Sequence, residues 1–342
     1  MRLRWAVVGA GAIASDRFGP AVKRSEGSEL VAVFDTNIDA AKTFAERFGA
    51  SRWSQDVNDV HRMDDIDAIY IATWPSAHCE NVITAATGHK HILCEKPLAT
   101  TLHECDRMIE VCRQNRVKLM IGYMMRFNPA HAIVRRLIAD RQIGRVLVAK
   151  ADFFTSFSTR WGATFATTFR FDKARAGGGL LMDMGIHVVD LLRYVTGCEV
   201  VSVQSFHGGS AYKLDIEDTG TISLQFNDGS YGVVALSGGI PHGRNGVEIY
   251  GEQGAIITEG SIGRATKEQR LRVQRGDICE EIPIESKDPF LEELRYFEEC
   301  VRTNREPEPD GNEGRSDLTV ILAAYESMRR RSVVDISAGR LL

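Results

Sequence analysis

The first third of this 342-residue chain alternates short apolar runs with amphipathic stretches, and that alternation leaves few folds open. Trp5 to Val8 and Leu30 to Phe34 read as strands buried on both faces. Between them, Ala12 to Arg24 fits a helix. Asn37 is placed to cap the next helix, in which Ile38, Ala41, Phe44, Ala45 and Phe48 share one face before Gly49 stops it. A strand at Ala68 to Ala72, a helix near Asn81 to Thr87 and a strand at His91 to Cys94 follow. A helix from Leu102 to Arg116 and a strand at Lys118 to Gly122 complete the series. Parallel neighbours cannot be joined by a tight turn, so repeated strand–helix–strand units imply a parallel sheet with right-handed crossovers. The expectation is a doubly wound α/β domain over residues 1–123.

The remainder, residues 124–342, has a different rhythm. After a helix at Ala130 to Ala139 come three hairpin-like pairs of runs: Thr221 to Phe226 with Tyr231 to Leu236, Val247 to Tyr250 with Ala255 to Thr258, and Leu271 to Gln274 with Glu281 to Ile284. Glycine sits in each connection, where positive φ costs least. Helices are expected at Leu180 to Tyr194, Pro289 to Arg302 and Asp317 to Arg330. This describes an α+β domain with a large open, mostly antiparallel sheet, whose last helix is free to pack back towards the first domain.

Composition narrows the function classes. A net charge of -4 implies no broad basic surface and argues against a nucleic-acid partner. Seven cysteines without a C-x-x-C pair point to reduced thiols, with neither a disulfide framework nor a zinc site. Arg2 and Arg4 before Trp5 to Ala14 imitate a leader, but the apolar stretch is short and holds a glycine pattern. No segment is apolar enough over a sufficient length to span a membrane. A cytoplasmic protein is expected.

That glycine pattern is Gly9-Ala10-Gly11-Ala12-Ile13-Ala14, G-x-G-x-x-A between a strand and a helix. Gly9 permits the tight turn, Gly11 lets a pyrophosphate approach the backbone, and Ala14 lets helix and strand pack closely. The helix N-terminus then offers N–H donors to the phosphates. Asp35, closing the second strand, is placed to accept from ribose hydroxyls and would repel a 2′-phosphate. NAD is favoured, with NADP the alternative.

Strand ends in such a sheet face the ligand crevice. Lys96, in Cys94-Glu95-Lys96-Pro97, follows one of them, and Pro97 stiffens the chain behind it. A lone loop lysine is more often solvated, so this reading leans on its neighbours. Thr73-Trp74-Pro75-Ser76-Ala77-His78 follows another strand end. Trp74 or Pro75 could line the nicotinamide side; His78 could anchor the loop near the cofactor or simply cap the next helix. In Gly177 to His187, Asp183 and His187 are four apart and share a helix face, a suitable acid–base pair. Too few ligands lie nearby for a metal, and none is expected.

Taken in order, the Gly9 to Ala14 turn, Glu95-Lys96-Pro97, Met125-Arg126-Phe127-x-Pro129, Gly177 to His187 and Ala323-Ala324-Tyr325-Glu326-Ser327 resemble the Gfo/Idh/MocA family over essentially the whole length. Trp74-Pro75 departs from the Pro-Asn of many members. The resemblance implies a Rossmann domain followed by an open-sheet domain, acting on sugars, cyclitols or related polyols. The open sheet face itself leads to the expectation of a homodimer or homotetramer formed through the C-terminal sheet. The resemblance also implies Lys96, Asp183 and His187 as the catalytic set. It places Gly9, Gly11, Ala12, Ile13, Asp35, Thr73, Trp74, Pro75, His78, Glu95, Lys96 and Arg126 at the cofactor. Lys96, Tyr123, Phe153, Arg170, Asp183 and His187 would meet the substrate.

The implied reaction moves a hydride between a carbinol carbon and nicotinamide C4. His187 would take the hydroxyl proton while Lys96 steadies the alkoxide, or the two would exchange parts. Two rivals share the architecture: a hydrolase using NAD transiently to cleave a glycosidic bond, and a non-catalytic sensor of dinucleotide or sugar. The Phe-, Thr- and Arg-rich stretch from Phe153 to Arg175 is expected to shape the substrate pocket.

Overall fold

A computed structural model describes residues 2–162, 166, 168–209, 211–212, 214–263 and 269–337. Its first part runs β1 (Leu3–Val8), α1 (Gly19–Arg24), β2 (Ser28–Phe34), α2 (Ile38–Phe48), β3 (Arg52–Ser54), β4 (Ala68–Ile71), α3 (His78–Thr87), β5 (His91–Glu95), α4 (Leu102–Asn115) and β6 (Leu119–Gly122). The six strands are all parallel, in the order β3-β2-β1-β4-β5-β6. That order reverses direction at β1, the switch point of a doubly wound sheet. Asn37 caps α2 by accepting from the Asp39 and Ala40 N–H groups, and Gly49 ends it in the left-handed conformation. α3 starts at His78, earlier than the apolar pattern showed, because a tight turn at Pro75–Ala77 leads into it.

The second part runs α5 (Pro129–Ala139), β7 (Val146–Phe154), α6 (Phe157–Trp161), α7 (Lys173–Ala176), α8 (Ile186–Thr196), β8 (Val200–Gly208), β9 (Thr219–Phe226), β10 (Tyr231–Ser237), β11 (Val247–Gly251), β12 (Gly254–Glu259), β13 (Arg270–Arg275) and β14 (Ile278–Glu281). After these come α9 (Pro289–Arg302), α10 (Gly311–Arg330) and β15 (Val334–Asp335). The nine strands form one mixed sheet, β14-β13-β12-β11-β7-β10-β9-β8-β15, antiparallel except between β7 and β10. The three expected hairpins are present. The last turns earlier than expected, pairing Arg275 with Ile278, so β14 ends where its run was thought to begin. Two long strands, β7 and β8, went unread in the sequence. α10 begins six residues before Asp317 because Asp310 accepts from the Asn312 and Glu313 N–H groups.

One face of this sheet is apolar. Ile222, Leu224, Val234, Ala149, Ala151, Ile249 and Ile256 are buried, and α8 packs on β7 and β10. The other face carries Phe206, Tyr231 and Tyr250, all exposed. The alternation along β9 follows directly from the two-residue period of a strand with one wet face. Among the described residues no helix is long and apolar enough to cross a membrane.

The chain falls into two compact units, and they are not simply successive. The first contains residues 1–124 and 289–315; the second contains 125–288 and 316–342. A single boundary at residue 123 therefore leaves out a returning segment. Within the first unit, Phe297 of α9 is fully buried 5.5 Å from Trp5, which lies edge-on to Phe18; Phe18 stacks on Tyr70 at 4.0 Å. Trp5 donates to the Ser28 hydroxyl, and both Ser25 and Ser28 donate to Glu298. Pro309 adds a backbone carbonyl for the Ile121 N–H. Phe297→Ala is expected to destabilise the first unit by about 3–5 kcal/mol in urea denaturation. A loss below about 1 kcal/mol would mean that the returning helix is not part of this core.

Candidate functional site

In the first unit, the turn after β1 is built around Gly9. Its φ is +97°, and a Cβ there would lie 2.7 Å from the Ala72 carbonyl carbon. No other residue fits between the ends of β1 and β4. Gly11 differs: a Cβ on it would meet nothing within 4 Å. The protein's own packing does not require glycine at this position, whereas close approach of a phosphate to the backbone does. Ala12 is exposed, Ile13 half-buried and Ala14 fully buried. Ala14–Phe18 winds as a π-helical turn before α1. The Asp35 carboxylate is fixed by two backbone donors, Ala10 N–H at 2.7 Å and Asn37 N–H at 2.8 Å. It is thereby locked beside the glycine turn. The residues fit a dinucleotide.

Lys96 follows β5 half-buried, and its peptide bond to Pro97 is cis. Glu95 is buried and accepts from the Tyr70 hydroxyl at 2.6 Å. His78 is fully buried, with Nδ1 2.9 Å from the Pro97 carbonyl and Nε2 3.2 Å from the Thr73 carbonyl. Burial pushes its pKa down, so the ring is neutral and has one N–H to give; the shorter contact, to Pro97, is the better place for it. His78 thus ties the loop after β4 to the loop after β5, and no side-chain capping hydrogen bond is made at the start of α3. In the former loop Trp74 is partly exposed and Pro75 buried. Tyr123, just past β6, is fully buried.

In the second unit, Leu181–Gly185 forms a π-helical turn leading into α8. Such turns recur at functional sites. Asp183 lies within it and His187 two residues beyond its end, both half-buried. Arg170 holds its Nε 3.5 Å from Asp183 Oδ2 and its guanidinium over the Phe169 ring. Phe153 is a core residue of β7, buried against Gly263. Part of the expected pocket stretch, residues 163–165 and 167, lies outside the described residues.

The family described as "Oxidoreductase family, NAD-binding Rossmann fold" matches residues 3–123, and the GFO/IDH/MocA C-terminal domain matches residues 131–257. The scyllo-inositol 2-dehydrogenase (NAD(+)) of Bacillus subtilis is 30% identical over 99% of this chain and 98% of its own length. The chain belongs to the GFO/IDH/MocA family. A D-xylose 1-dehydrogenase [NADP(+)] of Haloarcula marismortui is 28% identical, covering 97% of this chain and 92% of that protein. The crystal structure of an aldose-aldose oxidoreductase from Caulobacter crescentus, complexed with glycerol, superposes with a TM-score of 0.90 at 28% identity, covering 98% of this chain and 100% of that one. By name, the first two of these relatives are NAD(+)- or NADP(+)-linked inositol and xylose dehydrogenases, and the third is an aldose-aldose oxidoreductase.

Around the sequence motifs of this family member the structure adds Glu217, Asp190, Arg193 and Asp317, whose side chains the sequence did not single out, and gives Arg126 and Tyr325 their partners. Glu217 is buried, and its Oε1 accepts from the Gly179 N–H, the Leu181 N–H and the Tyr325 hydroxyl at 3.0, 3.0 and 2.6 Å. It caps the start of the helix that carries Asp183 and His187. A Cβ on Gly179 would lie 2.8 Å from the Glu217 carboxyl carbon, so the close approach needs glycine. Arg126 donates from Nε and Nη2 to Asp190 Oδ1 at 2.8 and 2.6 Å, with Tyr194 beneath it. Arg193 donates to Asp317 at 2.6 Å and to Glu199. For Asp190 and Arg193 the sequence signal was a pair of charges on a largely apolar helix, while Arg126 and Tyr325 lay within the family motifs.

Two variants separate the glycine roles. Gly9→Ala forces positive φ on a side chain and a backbone clash, and is expected to cost at least about 2 kcal/mol of stability. Gly11→Ala is expected to leave thermal stability within about 0.5 kcal/mol while weakening NADH binding at least about tenfold by fluorescence titration. Equal NADH affinity in Gly11→Ala would remove the dinucleotide from this turn. A second expectation concerns Asp317, whose carboxyl burial pushes from 3.8 up to about 8. The folded state then binds a proton that the unfolded state has lost, so this contribution to stability declines progressively as pH rises from about 4 to about 8. Asp317→Asn should flatten the fall in melting temperature between about pH 5 and about pH 8. An unchanged slope would mean that the aspartate is ionised throughout.

Proposed function

We propose that this chain is an NAD-dependent dehydrogenase or reductase of a sugar, cyclitol or related polyol, with NADP as the second choice. The first unit holds the dinucleotide, and the second contributes substrate contacts. The turn from Gly9 to Ala14 carries this reading: Gly9 is demanded by the fold, and Gly11 is explained by a phosphate and not by the fold. Asp35, locked beside it, supplies acceptors for ribose hydroxyls and a charge that disfavours a 2′-phosphate. Ala12 and Ile13 belong to the same turn. Thr73, Trp74, Pro75 and Glu95 support the cofactor side, with His78 acting through the two loops it ties. When bound, the nicotinamide supplies or accepts the hydride.

The chain's own part is proton and charge management at the reacting oxygen. Lys96 brings an ammonium to stabilise the alkoxide that oxidation creates, and His187 takes the hydroxyl proton. Asp183 is held by Arg170 and keeps a carboxylate on the same helix as His187. Arg126, by its bonds to Asp190, is better suited to bracing α8 than to a cofactor contact. Tyr123 and Phe153 likewise support the pocket from within the core. The exposed aromatics Phe206, Tyr231 and Tyr250 support a homodimer or homotetramer assembled through the open sheet face.

The test is a panel of aldoses, inositols and keto-sugars offered with each cofactor, followed by absorbance. Lys96→Met is expected to bind NADH normally and to lose at least about 10²-fold in turnover, since positioned proton transfer is worth about 10²–10⁴-fold. Wild-type turnover in that variant would overturn the assignment. Release of an aglycone without net NADH formation would favour the hydrolase reading instead.

A further inference from the structure

The second unit contains a cavity of about 530 Å³ that the proposed chemistry does not use. Its size falls within the roughly 300–1,000 Å³ of small-molecule pockets. Lys173, His207, Asp215, Glu217 and Tyr325 line it, and Ile216 forms a wall shared with the niche holding Arg170 and Asp183. The hydrogen-bonding capacity of this lining can be counted. The Tyr325 hydroxyl spends its one donor on Glu217 Oε1, which also accepts from two backbone N–H groups; Glu217 Oε2 accepts none among the described residues.

The state of His207 follows from the same counting. Ser205 Oγ donates to the Thr221 carbonyl at 3.0 Å, so it can only accept from His207 Nδ1, 3.1 Å away. Burial lowers the His207 pKa, against the raising effect of Glu217. The ring is therefore neutral, protonated on Nδ1, and Nε2 carries a lone pair without a partner among the described residues. The ring is held edge-on to Tyr325 at 5.2 Å.

The lining thus offers two carboxylates and an imidazole lone pair as acceptors, with the Lys173 ammonium as its charged donor. An anion would meet Asp215 and Glu217, and a cationic amine would meet Lys173. A molecule bearing several hydroxyls satisfies both, because each hydroxyl donates and accepts. We propose that this cavity is a second binding site for a polyhydroxylated ring of the sugar class. The ring is either the part of a substrate that continues beyond Ile216 or a separate sugar. The site needs no hydride transfer to exist.

The test uses the full chain without cofactor and D-glucose, myo-inositol and maltose as probes. With ¹⁵N-labelled histidine, the His207 Nε2 resonance, assigned by its loss in His207→Phe, is expected to shift saturably with at least one probe. His207→Phe keeps the ring against Tyr325 and removes the acceptor, so calorimetry should show that probe bound about tenfold more weakly. If the ring is part of the substrate, kcat/KM for maltose falls in the variant while that for glucose does not. If it is a separate sugar, binding weakens with both kinetic constants unchanged. No shift with any probe, or equal affinity in the variant, overturns the site. Because binding is read without turnover, absence of hydride transfer would overturn the dehydrogenase reading and leave this result standing.

Discussion

A single carboxylate oxygen organises the second unit. Glu217 Oε1 receives two N–H groups from the glycine-rich entry of the α8 segment and the hydroxyl of Tyr325 from α10. Burying a carboxylate is costly, and three donors, two of them at a helix N-terminus, offset that cost. The geometry admits few substitutes, since Gly179 has no room for a Cβ beside this group. Asp183 and His187 inherit their places from this anchor, because both follow it along one continuous helical stretch.

Much of the first unit was legible in the sequence. Five of its six strands carry apolar runs, β3 (Arg52–Ser54) being the exception, and its helices carry local signals that act within one turn: Asn37 and Gly49 bound α2, and Thr101 with Glu104 form a capping box at α4. The dinucleotide turn was equally plain, because its demands on Gly9 and Gly11 are local. His78 was harder. Its polar partners are carbonyls of Thr73 and Pro97, and the second of these is nineteen residues away.

The second unit shows where local reading ends. Strand β7 pairs in parallel with β10, about eighty residues later, and no turn signal announces such a partner. Glu217 and Tyr325 read as an acidic residue before a strand and an aromatic on a helix; only folding brings them to the same oxygen. The same holds for Arg126. The family motif made it a candidate for ligand contact, while its guanidinium is engaged by Asp190 in a buried ion pair. Buried charges need partners, and partners distant in sequence cannot be read from spacing.

The interrupted first unit has a consequence for how the chain comes into being. Residues 1–124 leave the ribosome early, but Phe297, Glu298 and Pro309 must still be made before the core around Trp5 is closed. At ordinary elongation rates that interval lasts roughly ten to forty seconds. During it, Trp5 and the two serines that bind Glu298 lack the partners that will cover them. The unit that begins first is therefore not completed until residues 125–288 of the second have already been made.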